Sequence, residues 1–232
     1  MTKFFHKINY GVFWFYQLLF GGKMFTGIIE TVSEIIGINR KGEECRLTLK
    51  NKFGNEIKNG DSIAVDGVCL TVESFSDDKI SFFVSKSTLE KTIAANYTSG
   101  THVNLERAMP ANGRFDGHIV SGHVDSCGKI TEIKKIGLGT EIKIVFDRKF
   151  VNYTVPRGSV TVNGVSLTIA ELDGNIMKIS LIPETLSRTS FAGNLKQGAS
   201  VNLEFDIFGK YAAKIAESGN RDSKFEKLLE NL

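Results

Sequence analysis

The chain has 232 residues, enough for one large domain or two of about 100 residues each, and its 41% apolar and 24% charged content is that of a globular protein. Lys3, Lys7 and Lys23 supply the whole +3 formal charge, and the 26 basic and 26 acidic residues from Met24 onward cancel, which argues against a nucleic-acid binder with its basic stripe. Cys45, Cys69 and Cys127 are widely spaced and contain no C-x-x-C pair, which argues against a disulfide framework or a zinc site and favours a reducing compartment.

Residues 1–23 combine Lys3, His6 and Lys7 with an aromatic-rich run from Val12 to Phe20, followed by Gly21-Gly22. The run is shorter than the roughly 20 apolar residues a bilayer span requires. It loosely resembles a secretory signal, but no small-residue cleavage site follows. Gly-Gly-Lys-Met at 21–24 is what a purine-rich ribosome-binding site ahead of a start codon would encode. Met24 is therefore expected to be the true initiator, with a signal segment or a structured extension as the alternatives.

From Met24 the chain reads as strands. Thr48-Leu49, Ile63 to Val65, Val68 to Val72, Ile80 to Val84 and Val103 to Leu105 are short runs rich in β-branched residues. Turn signals part them at Asn59-Gly60, Asp66-Gly67, Asp77-Asp78 and Ser99-Gly100. Alternation in the hairpin after Asp66-Gly67 puts Val68, Leu70 and Val72 on one face and Cys69 and Thr71 on the other. The apolar trio should fill a barrel. The opposite face is either an ordinary solvent-facing surface or a shelf on which a flat ligand lies close to backbone. Ser85 to Thr88 reads as a strand end and turn that offers backbone groups and a hydroxyl.

His118 and His123 follow in RFDGHIVSGHVDS (114–126). Five residues apart on an extended chain they point to opposite faces, so a shared metal is not expected. His118 reads as a buried, hydrogen-bonded imidazole. His123, next to Gly122, is the better candidate for proton transfer near neutral pH.

The second half then repeats the first. SIAVDGVCLTV (62–72) returns as SVTVNGVSLTI (159–169), displaced by 97, and the Ser87-Thr88-Leu89 stretch returns as Glu184-Thr185-Leu186 at the same offset. GTHVNLE (100–106) matches GASVNLE (198–204), and TGIIE (26–30) faces SGHVD (121–125). Two homologous halves, about 24–119 and 120–207, are expected to form tandem β-barrels. Asn163-Gly164 and Asp173-Gly174 give the turns, and Val165, Leu167 and Ile169 oppose Ser166 and Thr168. The tail changes period: Phe208, Tyr211, Ala212 and Ile215 lie on one face of a helix, and Ser223-x-x-Glu226 resembles a capping box before Phe225, Leu228 and Leu229. That apolar stripe must be covered by the same chain or by neighbouring subunits.

No phosphate loop, dinucleotide fingerprint, nucleophile elbow or zincin motif is present. The motifs that are present, MFTGIIE, DSIAVDGVCLTV, VNLERAM, ANGRFDGHIVSGHVD, GSVTVNGVSLTI and SLIPETLSRTSF, resemble in order those of the riboflavin synthases over about 24–210. The resemblance implies an all-β fold of two six-stranded antiparallel Greek-key barrels, plus a C-terminal helix that assembles a homotrimer. It implies dismutation of two 6,7-dimethyl-8-ribityllumazine molecules to riboflavin and 5-amino-6-(ribitylamino)uracil, in the cytoplasm, without metal or other cofactor. It allows association with lumazine synthase, and implies no nucleic-acid or membrane partner.

By resemblance the site forms between the first barrel of one subunit and the second barrel of the next. Gly27, Ile28, Ile29, Cys69, Leu70, Thr71, Phe83, Val84, Ser85, Lys86, Ser87, Thr88, Gly122, His123 and Val124 would come from the first barrel. Arg157, Ser166, Leu167, Thr168, Ser180, Leu181, Ile182, Pro183, Glu184 and Thr185 would come from the second. His123 would assist proton removal from the C7 methyl, Ser166 or a water it holds would add at C7 of the acceptor, and Cys69 would orient or transiently attack the other lumazine.

The chain departs from the family pattern at Asp66 (usually Asn), Asn163 (often Asp), Ser87 (usually Glu), Asp116 (commonly Gly) and Arg157 (frequently Lys, a different donor geometry). The alternative reading is a non-catalytic lumazine- or flavin-binding relative of the same fold. An oxidoreductase barrel would need a nucleotide domain, for which no segment remains.

Overall fold

Asp66 and Asn163 both take the left-handed conformation, with φ of 45° and 48°, and the glycine after each has φ near +80°. That is the backbone a two-residue hairpin turn demands, and it explains why Asp-Gly and Asn-Gly occupy these sites. In the computed structural model, which describes residues 24–110 and 112–219, these two hairpins are the central elements of two closed barrels. The leader and the capping box at Ser223 lie outside the described residues.

The first barrel is built from β1 (Thr31–Lys41), β2 (Glu44–Lys50), β3 (Ser62–Val65), β4 (Val68–Phe75), β5 (Lys79–Val84) and β6 (His102–Arg107), closed in the order β1-β2-β5-β4-β3-β6. The second uses β7 (Ser126–Ile136), β8 (Gly139–Val145), β9 (Ser159–Val162), β10 (Val165–Asp173), β11 (Ile176–Leu181) and β12 (Ser200–Phe205), in the matching order β7-β8-β11-β10-β9-β12. Every pairing is antiparallel. Register shifts fall at corresponding places, between Val72 and Ser74 in β4 and between Ile169 and Glu171 in β10. An extra residue bends a strand and sharpens its twist, which is what closing a six-stranded sheet requires.

Alternation sorts the side chains as the sequence predicts. Val68, Leu70 and Val72 are buried in the first core with Leu47, Phe82 and Leu105. Val165 and Ile169 are buried in the second core, with Leu167 packed at its margin. Thr71 and Thr168 are exposed, and Cys69 and Ser166 are half-buried.

The stretches after β5 and β11, read from sequence as strand ends and turns, are short helices: α1 (Lys86–Lys91) and α2 (Pro183–Arg188). Six residues are too few to show a helical period. The local chemistry suits a start nonetheless: Ser85 Oγ accepts from Thr88 N at 3.3 Å, and Pro183 sits where a helix has no use for an N–H. The remaining helical pieces are short turns, apart from α3 (Phe191–Asn194) and the terminal α4 (Ile207–Gly219). Among the described residues no helix is long and apolar enough to cross a membrane.

The barrels meet reciprocally. Phe25 and Val120 form an antiparallel bridge, with N–H···O distances of 2.8 and 3.2 Å. Asn104 donates its side-chain amide to Asn163 O, and Asn202 donates its own to Asp66 O, each at 2.9 Å and each crossing to the other barrel. The turns touch: a Cβ on Gly67 would lie 2.8 Å from Gly164 N, and one on Gly164 would lie 2.7 Å from Gly67 N. A side chain at either position would have to displace the backbone of the other turn.

Candidate active site

The segment that precedes each barrel is held by a buried glutamate of that barrel's last strand. Glu106 accepts from Thr26 N, Thr26 Oγ1 and Gly27 N at 2.6, 2.9 and 3.0 Å. Glu204 accepts from Ser121 N, Ser121 Oγ and Gly122 N at 2.7, 2.6 and 3.0 Å. Burial raises both carboxyls above their ordinary value, Glu106 to about 7, against the pull of these donors. These clamps belong to the repeated VNLE blocks. Sequence reasoning met those blocks only as markers of duplication, because a glutamate in a strand does not announce what its carboxylate will cap.

Each clamped segment then reaches across to the other barrel. Gly27 O accepts from Ser166 N, and Gly122 O accepts from Cys69 N, both at 2.8 Å. A Cβ on Gly27 would stand 2.7 Å from Ser166 Cβ, and one on Gly122 2.6 Å from Cys69 Cβ. The glycines are there because backbone must lie on backbone.

This geometry regroups the predicted residues. Gly122, His123 and Val124 border the Cys69 strand, and Val124 packs on the first core. Gly27, Ile28 and Ile29, expected on the first barrel's site, instead border Ser166, and Ile29 packs on the second core. The exchange arises because the clamp fixes each segment to its own barrel while its carbonyl completes the other barrel's hairpin edge.

Two outward shelves result. On the first, Cys69 and Thr71 share the outer face of β4, and Phe83 stands one position along from the paired Val72 and Phe82, with 45% of its surface exposed. Ser85 and Thr88 follow half-buried, Lys86 and Ser87 are exposed, and His123 is exposed beside Gly122. On the second, Ser166 and Thr168 share the outer face of β10, next to exposed Ser180, Ile182, Pro183 and Glu184 and half-buried Thr185. Exposed Ile28 takes the place that His123 holds on the first shelf.

Leu70, Val84 and Leu181 turn inward into the cores, and Leu167 lies at the margin of one, so these four can offer a ligand little but backbone. Arg157, at φ 67°, is exposed and donates its N–H to Ile169 O. A cleft of about 640 Å³ opens near Ile28, but Arg107 within it is engaged by Glu30 and Glu56, and neither Cys69 nor Ser166 lines it.

His118, expected from the sequence to be a buried, hydrogen-bonded imidazole, is half-buried and has a hydroxyl partner that the sequence does not reveal. Its Nδ1 lies 2.7 Å from Ser166 Oγ, and its backbone N–H donates to Thr26 O at 3.1 Å. Burial holds the imidazole below its usual value, while Asp206 pulls weakly upward. Gly117 permits this approach, since a Cβ there would fall 2.0 Å from Thr26 O. Among the described residues, no group of three His, Cys, Asp or Glu side chains is placed to hold a metal ion.

Comparison with known proteins meets this geometry at both halves. The lumazine binding domain model matches residues 26–108 and again 121–206. The chain is 46% identical over 189 residues to riboflavin synthase of Actinobacillus pleuropneumoniae, covering 81% of this chain and 87% of that one. The chain belongs to the riboflavin synthase family. A second member, from Bacillus subtilis (strain 168), is 42% identical over 200 residues, covering 86% of this chain and 93% of its own length. The fold of the family recurs in a crystal structure of LumP complexed with 6,7-dimethyl-8-(1'-D-ribityl) lumazine, at 22% identity and a TM-score of 0.71 over 78% of this chain and 99% of that one. The LumP complex with riboflavin gives a TM-score of 0.72 at 24% identity.

Proposed function

We propose that the chain catalyses riboflavin synthesis by four-carbon transfer between two molecules of 6,7-dimethyl-8-ribityllumazine, with one heterocycle on each kind of shelf. The observation that carries this reading is the reciprocal pairing of Ser166 with Gly27 and Cys69 with Gly122. It makes two equivalent ledges with a hydroxyl on one and a thiol on the other. A lumazine needs little more from a protein. Its C7 methyl is acidic because the carbanion delocalises into the ring, and C6 and C7 are electrophilic. Holding two such rings in opposed orientation supplies up to roughly 7–11 kcal/mol of the barrier through proximity alone.

The shelves differ in ways that suit donor and acceptor. Phe83 offers a ring face and His123 a solvent-accessible imidazole beside Cys69, which favours proton removal from the C7 methyl there. Ser166, or a water it holds, adds at C7 of the lumazine on the second shelf, and Cys69 orients or transiently attacks its partner. The paired shelves come from neighbouring subunits of a homotrimer, a reading supported by the exposed Phe208, Tyr211 and Ile215 of α4. A cytoplasmic setting and association with lumazine synthase complete the proposal.

Conversion of 6,7-dimethyl-8-ribityllumazine to riboflavin, followed by absorbance in the presence of a chelator, tests it. Turnover is expected. Tight lumazine binding without turnover would instead make the chain a non-catalytic binder. His123→Ala, Cys69→Ala and Ser166→Ala should each lower kcat more than they weaken ligand binding, and wild-type turnover in all three would remove these roles.

A further inference from the structure

The hydroxyl of the second shelf has a titratable side chain behind it. Ser166 Oγ meets His118 Nδ1 at 2.7 Å, and the repeat offset that carries Gly122 onto Gly27 carries His118 onto Lys23, so the sequence repeat does not extend to this histidine. The His118 ring is half-buried, its Nε2 has no hydrogen-bond partner among the described residues, and its backbone is tied to Thr26 O. The residue's backbone is thus anchored by the same segment that borders Ser166, and a neutral imidazole that carries its proton on Nε2 presents Nδ1 as an acceptor to the hydroxyl.

We infer that His118 is a positioning residue for the second shelf, aiming the Ser166 hydroxyl and receiving the proton that the nucleophile gives up on adding to the bound lumazine. This rests on the role proposed for Ser166. As the new oxygen–C7 bond forms, the C6–C7 π pair moves into the pyrimidinedione. The oxygen's proton passes to His118 Nδ1, directly from Ser166 or through it from a held water. The imidazolium returns that proton when the oxygen leaves, so no oxidant or further reactant is required.

His118→Asn in the full chain tests it, because the amide can still hydrogen-bond Ser166 but cannot take its proton. The expected result is a fall in kcat of about 10²-fold, with KM and the fluorescence-measured lumazine Kd within about twofold of wild type. In the Ser166→Ala background, His118→Asn should cost nothing more, since residues acting as a unit are not additive. If Ser166→Ala is slow while His118→Asn turns over at the wild-type rate, the inference is overturned and the Ser166 role stands. Fully additive losses, or a loss of lumazine binding in a variant whose circular dichroism is native, overturn it as well. Wild-type turnover of Ser166→Ala removes the underlying reading instead. Should His118→Asn fail to fold, His118→Gln is read by the same criteria.

Discussion

At the scale of single residues, the hairpin turns carry the same backbone on different chemistry. Asp66 is fully buried between the barrels, where Oδ1 accepts from Asn104 N and Oδ2 from Tyr97 Oη, each at 2.8 Å. Asn163, at the matching place, accepts from Asn202 N at 2.8 Å without carrying a charge. Loss of water pushes the Asp66 carboxyl up to about 7, against a smaller pull from its two donors. A carboxyl whose folded value is raised stabilises the fold fully below its unfolded value near 4. That contribution is lost as pH rises towards 7, because the unfolded chain ionises first. Asp66→Asn, which copies the second barrel, should therefore equal the wild type in urea at pH 4 and exceed it by up to about 4 kcal/mol at pH 8. A constant gap between the two proteins across that range would show that Asp66 does not titrate on folding.

At the scale of elements, the turns are also contact surfaces. Gly67 and Gly164 have positive φ and sit against each other's backbone, so a methyl group on either meets two penalties together. Gly67→Ala and Gly164→Ala should each lower the unfolding free energy by about 2–4 kcal/mol in chemical denaturation. The same change at Gly174, also at positive φ but with open space around it, should cost only the backbone term of about 1–2 kcal/mol. Similar losses at all three would mean the barrels do not press together at these turns. The contrast also explains what could be read from sequence. Asp66-Gly67 and Asn163-Gly164 are legible as turns because φ preference is local, and the inward and outward sides of β4 and β10 follow from alternation. That the two turns meet is a fact about distant backbone, which local chemistry does not encode. Nor does it encode the crossing of Gly27 to Ser166, since a glycine next to a threonine looks the same whichever barrel it borders. His118 was visible as a histidine that would be buried, but its hydroxyl partner 48 residues along the chain was not.

At the scale of the whole molecule, the organising fact is that α4 is fixed to the second barrel on one side and, among the described residues, exposes an apolar face on the other. Lys210 pairs with Asp125 at 2.6 Å, both largely buried, and Asp125 also accepts from Phe205 N, which ties the helix to the last strand. Gly209 lets the helix lie directly on Tyr153, whose carbonyl oxygen would be 2.4 Å from a Cβ there. The opposite face leaves Phe208, Tyr211 and Ile215 exposed at 67, 57 and 67%. A 13-residue helix is marginal on its own, and the proposed trimer would cover the apolar stripe of each helix with its copies. If such helices bring first and second shelves of neighbouring chains together, breaking their contact should abolish turnover without emptying either shelf. Phe208→Glu combined with Ile215→Glu is expected to give the mass of one chain by light scattering and to lower kcat more than tenfold. Lumazine should still bind, because each shelf is completed within one chain by the segments clamped on Glu106 and Glu204. A double variant that stays at the three-chain mass would move the interface elsewhere, and one that turns over normally as a single chain would place both lumazines within one molecule.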